Sequence, residues 1–182
     1  MASPSERTLD EPLRVFRLYD PRFAPLDATG AHTYGGRWNT PGSDVVHAAM
    51  SYAGAILETR VHANVRRPPP REIAVITLPR GSRIAELVAG DLAGWDDPGQ
   101  ATSCAAGDAW LAAARSLALI VPSKAGAPLE RNIVLNMGHA DARRLQVTTL
   151  GAVPWDLRLF PAAERAAAAT PKRKPAASRK KR

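Results

Sequence analysis

The chain has 182 residues, 45% of them hydrophobic, and a net charge of +8, which fits one globular domain with a substantial core. A lone cysteine, Cys104, excludes an intrachain disulfide, and no apolar run approaches the roughly 18 residues that span a bilayer, so a cytoplasmic protein without membrane attachment is expected. Seven basic residues crowd into the last twelve positions, PKRKPAASRKKR, and leave a net +1 on residues 1–170, so total charge gives no ground for reading the folded part as a nucleic-acid binder.

Residues 1–12 (MASPSERTLDEP) read as a flexible leader whose early acids do not suit a secretory signal. Residues 13–19 (LRVFRLY) alternate apolar and polar positions, which predicts a strand with only one of Arg14 and Arg17 pointing inward. Residues 20–44 are rich in Pro, Gly, Asp and Thr and read as a long irregular stretch. Loops of that length in a compact domain are usually functional or disordered. Inside it lies G-G-R-W-N-T-P-G, residues 35–42, half of it glycine or proline, which supply turns and close backbone approach. Arg37 beside Trp38 suits a loop that clamps a phosphate or a flat ring.

Residues 45–61 (VVHAAMSYAGAILETRV) are mostly small and apolar and predict a helix. At about 100° per residue, His47, Ser51, Gly54 and Glu58 share one stripe, and Met50, Ala53, Leu57 and Val61 fill a neighbouring apolar face. Glu58 then lies near the buried side, where a carboxylate needs a partner. Two readings stand: an ion pair that ties the preceding loop to the helix, or an active-site carboxylate.

Residues 66–71 form a proline break, and residues 72–78 (EIAVITL) a β-branched strand ended by Pro79. Residues 84–88 predict a short strand, residues 94–100 a turn-rich loop around Trp95, and residues 102–116 an Ala-rich helix with Cys104 packed in its first turn. The continuous apolar run LALIV, residues 117–121, reads as a strand buried on both faces and stops at Pro122-Ser123. Further strands are expected at residues 131–135 and 144–148, with an edge strand at 155–160. Residues 161–182 read as an Ala-rich then basic disordered tail, either a nucleic-acid contact or a solubilising extension.

The sequence has no dinucleotide-binding glycine fingerprint, no Walker loop and no H-E-x-x-H. His32, His47, His62 and His139 lack metal-ligand spacing, and no metal is expected. What remains are polar residues at the ends of apolar runs: Arg17, Arg37, Glu58, Ser123 and Asn132. Each has a plain alternative, Ser123 as a turn residue and Asn132 as a strand-start hydrogen bonder.

The order R-V-F-R-L, G-G-R-W-N-T-P-G, V-V-H-A-A, A-I-L-E-T-R-V-H, G-D-A-W-L, V-P-S and E-R-N-I-V-L-N resembles the RES domain, across residues 13–160. That resemblance implies a single α+β domain similar to ADP-ribosyltransferases, with a mixed β-sheet core, flanking helices and a central cleft for NAD as substrate. It implies a toxin of a type II toxin–antitoxin module that depletes NAD by phosphorolysis, with inorganic phosphate as co-substrate, or by hydrolysis. Alternatives are mono-ADP-ribosylation of a specific protein and a non-catalytic regulatory protein with a nucleic-acid-binding basic tail. The implied partner is an Xre-type helix-turn-helix antitoxin on a separate chain that occludes the cleft and binds nucleic acid, with a homodimer inside the complex. By the same resemblance, Glu58, Arg37 and Ser123 are the catalytic candidates, and Arg17, Arg37, His47, Asn132 and Trp38 the NAD-binding ones. Guanidinium forks suit a pyrophosphate, and a preplaced carboxylate suits the positive charge that develops on the ribose. Trp38 is either a stacking wall or core. The sequence departs from the family at His47, where tyrosine is usual, and at Asn136-Met137-Gly138-His139-Ala140, which lacks the two usual prolines.

Overall fold

Alternating and continuous apolar runs condense into one sheet. The computed structural model describes residues 4–63 and 68–162. Its strands are β1 (Ser5–Thr8), β2 (Leu13–Tyr19), β3 (Val45–Ala49), β4 (Glu72–Leu78), β5 (Arg83–Glu86), β6 (Ala118–Pro122), β7 (Arg131–Asn136) and β8 (Gln146–Ala152). The helices among the described residues are α1 (Thr29–Tyr34), α2 (Tyr52–His62) and α3 (Ala101–Ala113), with short 3₁₀ turns between elements. The sheet order is β1-β5-β6-β7-β3-β2-β4-β8. Only β5 and β6 run parallel; every other neighbouring pair is antiparallel. This is a single α+β domain around a mixed sheet.

The pleat sorts side chains onto two cores. On β6, Ala118 and Ile120 join one apolar cluster while Leu119 and Val121 join the other. The first cluster gathers Ile76 and Leu78 of β4, Val15 of β2 and Ile133 and Leu135 of β7, so both halves of the sheet share it. The second is closed by Trp110 and Ala106 of α3 together with Trp38 and Trp95 from loops. β6 is buried on both faces, as its unbroken apolar run predicts.

One junction of this sheet is weak. β2 pairs with β4 at seven positions but meets β3 only where Phe16 faces Ala49. The strands part there, and residues 16–18 of β2 face residues 47–49 of β3 across an open cleft.

Several expectations need correction. Residues 45–61 are not one helix: Val45–Ala49 is an interior strand, and Ser51 then caps α2, its Oγ accepting from Gly54 N at 2.9 Å. β-branched Val45 and Val46 between two partner strands override the helical count. Leu57 and Val61 are consequently exposed and form no apolar face. The leader contains a strand, since Ser5–Thr8 pairs with β5 at the sheet edge. Residues 155–160 hold a 3₁₀ turn at Leu157–Leu159 in place of an edge strand; that edge is β8. The irregular stretch 20–44 contains α1. The tail assigned to residues 161–182 lies outside the described residues from 163 onward.

α3 lies directly on the loop that precedes β3. A Cβ built on Gly107 would sit 1.9 Å from the carbonyl oxygen of Trp38, against backbone that cannot yield. Alanine in a helix ordinarily gains about 1 kcal/mol over glycine. Here the overlap should win: Gly107→Ala is expected to lose roughly 1–3 kcal/mol and lower Tm by about 5 °C. Thermal unfolding of the two proteins decides it, and a Tm at or above wild type would contradict the contact.

Candidate active site

Glu58 is the centre of the cleft, and its carboxylate is held from one side. Ser123 Oγ donates to Glu58 Oε1 at 2.7 Å, and Asn132 Nδ2 donates to the same oxygen at 2.6 Å. Oε2 makes no hydrogen bond among the described residues and lies 3.9 Å from Nδ1 of the exposed His62. Three elements set this geometry: Glu58 sits on α2, Ser123 just after β6, and Asn132 on β7. Register does the placing, because Asn132 stands opposite both Val121 of β6 and Ala49 of β3. Ser123 is itself fixed by Gly126, whose N–H donates to its Oγ at 3.0 Å. Of the two readings open for Glu58, no arginine pair is found among the described residues; Ser123 and Asn132, both neutral donors, hold the carboxylate.

Arg17 supplies the nearest buried cation. Its Nη2 donates to the carbonyl of Asp27 at 3.0 Å, whereas Nη1 is buried without a partner. Burial presses its pKa down, with Asp27 opposing, yet a guanidinium stays charged at any ordinary pH. An unpaired buried donor costs about 1–3 kcal/mol, so this nitrogen is poised for an acceptor. Asn132 Oδ1 is the matching orphan acceptor: with Nδ2 turned to a carboxylate, the amide cannot usefully flip.

The glycine loop is a tight turn. Gly36 N donates to Asn39 O at 2.9 Å and Asn39 N returns to Gly36 O at 3.4 Å. Gly35 takes φ +69, and a Cβ on Gly36 would meet both Asn39 Oδ1 and His47 Nε2 at 3.0 Å. These glycines therefore make room for the pair His47 Nε2 and Asn39 Oδ1, 2.9 Å apart. Cys104 backs the same turn, its Sγ 3.2 Å from the Gly36 carbonyl; burial first, then Asp108, pushes its thiol pKa up. Arg37 Nη1 donates to the carbonyls of Trp95 and Asp97, both at 3.1 Å, and ties that loop to the rim.

Of the two readings open for Trp38, the packing is that of a core residue. It is 3% exposed, and its ring lies parallel to Trp95 with centroids 6.2 Å apart. Its face is used by the core. Trp38 lines one cleft of about 670 Å³ together with Arg17, Arg37, His47, Glu58 and Asn132, a volume within the usual size of small-molecule sites. Buried Ser123 lies behind Glu58. Lys124 also lines the cleft and bonds the Asp96 carbonyl, a cation the sequence reading missed although it directly follows V-P-S. Asn39, 1% exposed, was quoted only as part of its motif. Among the described residues, no group of His, Cys, Asp and Glu is arranged to hold a metal, and no helix is long and apolar enough to cross a membrane.

His47 is neutral at ordinary pH. Burial first, then Arg17 and His62, lower its pKa to about 4 against the opposing pull of Glu58. In the unfolded chain the same imidazole titrates near 6.5, so the native state binds fewer protons between those values. Stability should therefore fall as pH drops from about 6.5 to 4, by at most on the order of 3 kcal/mol. Urea unfolding at pH 7 and pH 4.5 tests this: the wild type should lose more than His47→Gln over that interval, and equal losses would refute the shift.

The chain matches the RES domain over residues 11–156, a span that contains every candidate site residue. It is 36% identical over 140 residues to the Prs ADP-ribosylating toxin of Sphingobium sp. (strain YBL2), covering 74% of this chain and 86% of that protein. It is 39% identical over 132 residues to a Toxin Res of Yersinia enterocolitica, covering 70% and 86% respectively. The crystal structure of the M. tuberculosis MbcT–MbcA toxin–antitoxin complex contains a chain of similar fold, with a TM-score of 0.66 at 16% identity over 79% of this chain and 86% of that one. Matched over most of its length and at this level of identity, the chain belongs to the RES domain family.

Proposed function

We propose that this protein is the toxin of a toxin–antitoxin module and that its cleft cleaves the bond between nicotinamide and ribose in NAD. The observation that carries this reading is Glu58, a cleft-lining carboxylate anchored by Ser123 and Asn132 through one oxygen while the other accepts no hydrogen bond among the described residues. When the bond breaks, its electron pair goes to the nicotinamide ring nitrogen and the ribose carbon becomes oxocarbenium-like. A carboxylate fixed in advance stabilises that charge without reorganising. Arg17, Arg37 and Lys124 suit the pyrophosphate, and the orphaned Arg17 Nη1 gives an anion a reason to bind. Water then adds hydroxide to the ribose carbon and releases a proton, or a phosphate oxygen forms the new bond. Glu58 is the catalytic residue; Ser123 and Asn132 are positioning residues.

A second reading uses the same cleft with a protein side chain as acceptor. The name of the Sphingobium relative, an ADP-ribosylating toxin, favours it. For either reading the expected partner is an antitoxin, of the Xre type, that covers the cleft; the related fold comes from a toxin–antitoxin complex.

Incubation of purified protein with NAD, with and without phosphate, separates the acceptors by product. Glu58→Gln should lower NAD turnover by about a hundredfold or more, and Ser123→Ala by roughly tenfold because Asn132 still holds the carboxylate. Labelled NAD offered with candidate proteins reads transfer by intact mass. Full NAD turnover in a folded Glu58→Gln variant would overturn the reading.

A further inference from the structure

Asn39 is more than a turn residue. Its side-chain amide nitrogen donates to two carbonyls, Ala31 O at 3.2 Å and Thr40 O at 3.1 Å, so the amide orientation is fixed from behind. The oxygen is then the atom that faces His47 Nε2 at 2.9 Å. An oxygen with no proton can only accept, so Nε2 must carry the hydrogen. Nδ1 is left as a lone pair. It makes no hydrogen bond among the described residues and is not one of the buried unpaired atoms, and its ring lines the cleft beside Glu58 and Arg17.

We propose that Asn39 is a positioning residue that locks His47 in the Nε2–H tautomer and presents Nδ1 to the cleft as an acceptor for an N–H or O–H donor of the ligand. This rests on the NAD reading above for the identity of the ligand. The donors NAD offers next to the bond that breaks are the carboxamide N–H of nicotinamide and the ribose hydroxyls. An imidazolium at this place would present a donor instead and reverse the selectivity. The titratable groups that act on the ring are Arg17 from β2 and Glu58 and His62 from α2; β7 brings only Val134 opposite it. Two of those three are basic, and they favour the neutral ring the lock requires.

Long-range proton–nitrogen NMR of the wild-type protein at pH 7 reads the tautomer directly, so no variant has to fold for that step. The expected result is a protonated Nε2 and a bare Nδ1; the opposite tautomer, a mixture or an imidazolium would overturn the lock. The same spectrum of Glu58→Gln with NAD added, so that the dinucleotide survives, should show the Nδ1 resonance moving toward that of a hydrogen-bonded nitrogen. Nicotinic acid adenine dinucleotide, which replaces the carboxamide with a carboxylate, separates the donors. Loss of the Nδ1 shift with it assigns the carboxamide, and retention assigns a ribose hydroxyl.

If NAD moves other cleft resonances but leaves Nδ1 unchanged, the acceptor role is wrong while the NAD reading stands. If NAD moves none, the NAD reading fails and takes the ligand assignment with it, but the tautomer result survives. Asn39→Asp adds a kinetic arm: a carboxylate opposite Nε2 should favour the imidazolium and move the acid limb of kcat/KM upward in pH. A merely structural Asn39 would lower activity alike at every pH. His47→Phe removes the acceptor and should weaken NAD binding about tenfold.

Discussion

The arrangement depends on a single carboxylate oxygen that receives two hydrogen bonds. Glu58 Oε1 takes a hydroxyl from Ser123 and an amide from Asn132, at 2.7 and 2.6 Å. Neither donor is charged, so the position of the carboxylate is fixed without a cationic partner on that oxygen. An arginine in the same place would also hold it, but would offset its negative charge. The cost is organisational, since residues 58, 123 and 132 come from different elements. Only the pairing of β7 with β6 on one side and β3 on the other brings them within reach. The fold is in this sense a device for aiming two neutral donors at one oxygen.

Around that anion the cleft is cationic. Arg17, Arg37 and Lys124 line it, but they are not equivalent. Arg37 and Lys124 spend donors on loop carbonyls and thereby define the rim. Arg17 keeps a buried nitrogen without a partner, which is unfavourable until an anion arrives. A ligand that brings an acceptor to this nitrogen relieves the deficit, and an anion does so with the added attraction of opposite charge. β2 and β3, which pair only at Phe16 and Ala49, both contribute residues to the lining of the cleft.

Much of this was legible from the residues. The strands at residues 13–19 and 72–78 announced themselves by alternation or β-branching, and the one at 117–121 by an unbroken apolar run. Glu58 stood out as a carboxylate in an apolar segment. Residues 45–61 misled because alanine and glycine carry almost no periodic signal, so a strand joined to a helix at Ser51 looked like one helix. The predicted stripe nevertheless contained His47 and Glu58, which meet at the cleft for a different reason. β1 was invisible since an edge strand exposed along most of its length can be as polar as S-E-R-T. Trp38 was undecidable in sequence; its neighbour across the core, Trp95, lies 57 positions away. Asn39 was equally hidden, since nothing in one sequence tells which carbonyls an amide will face.

The neutrality of His47 follows from the same electrostatic logic. A protonated ring there would add a second positive charge beside Arg17, and it would interact with Glu58. That would weaken the field of Glu58 at the cleft and so oppose the oxocarbenium stabilisation proposed for it. Burial and Arg17 prevent it by pressing the imidazole pKa far below neutrality. Asn39 completes the arrangement by choosing which nitrogen keeps the proton. The turn that holds Asn39 works only because residue 36 has no side chain, since a Cβ there would stand 3.0 Å from both members of the pair. The glycines of the loop thus leave the space in which a neutral His47 ring is held against Asn39.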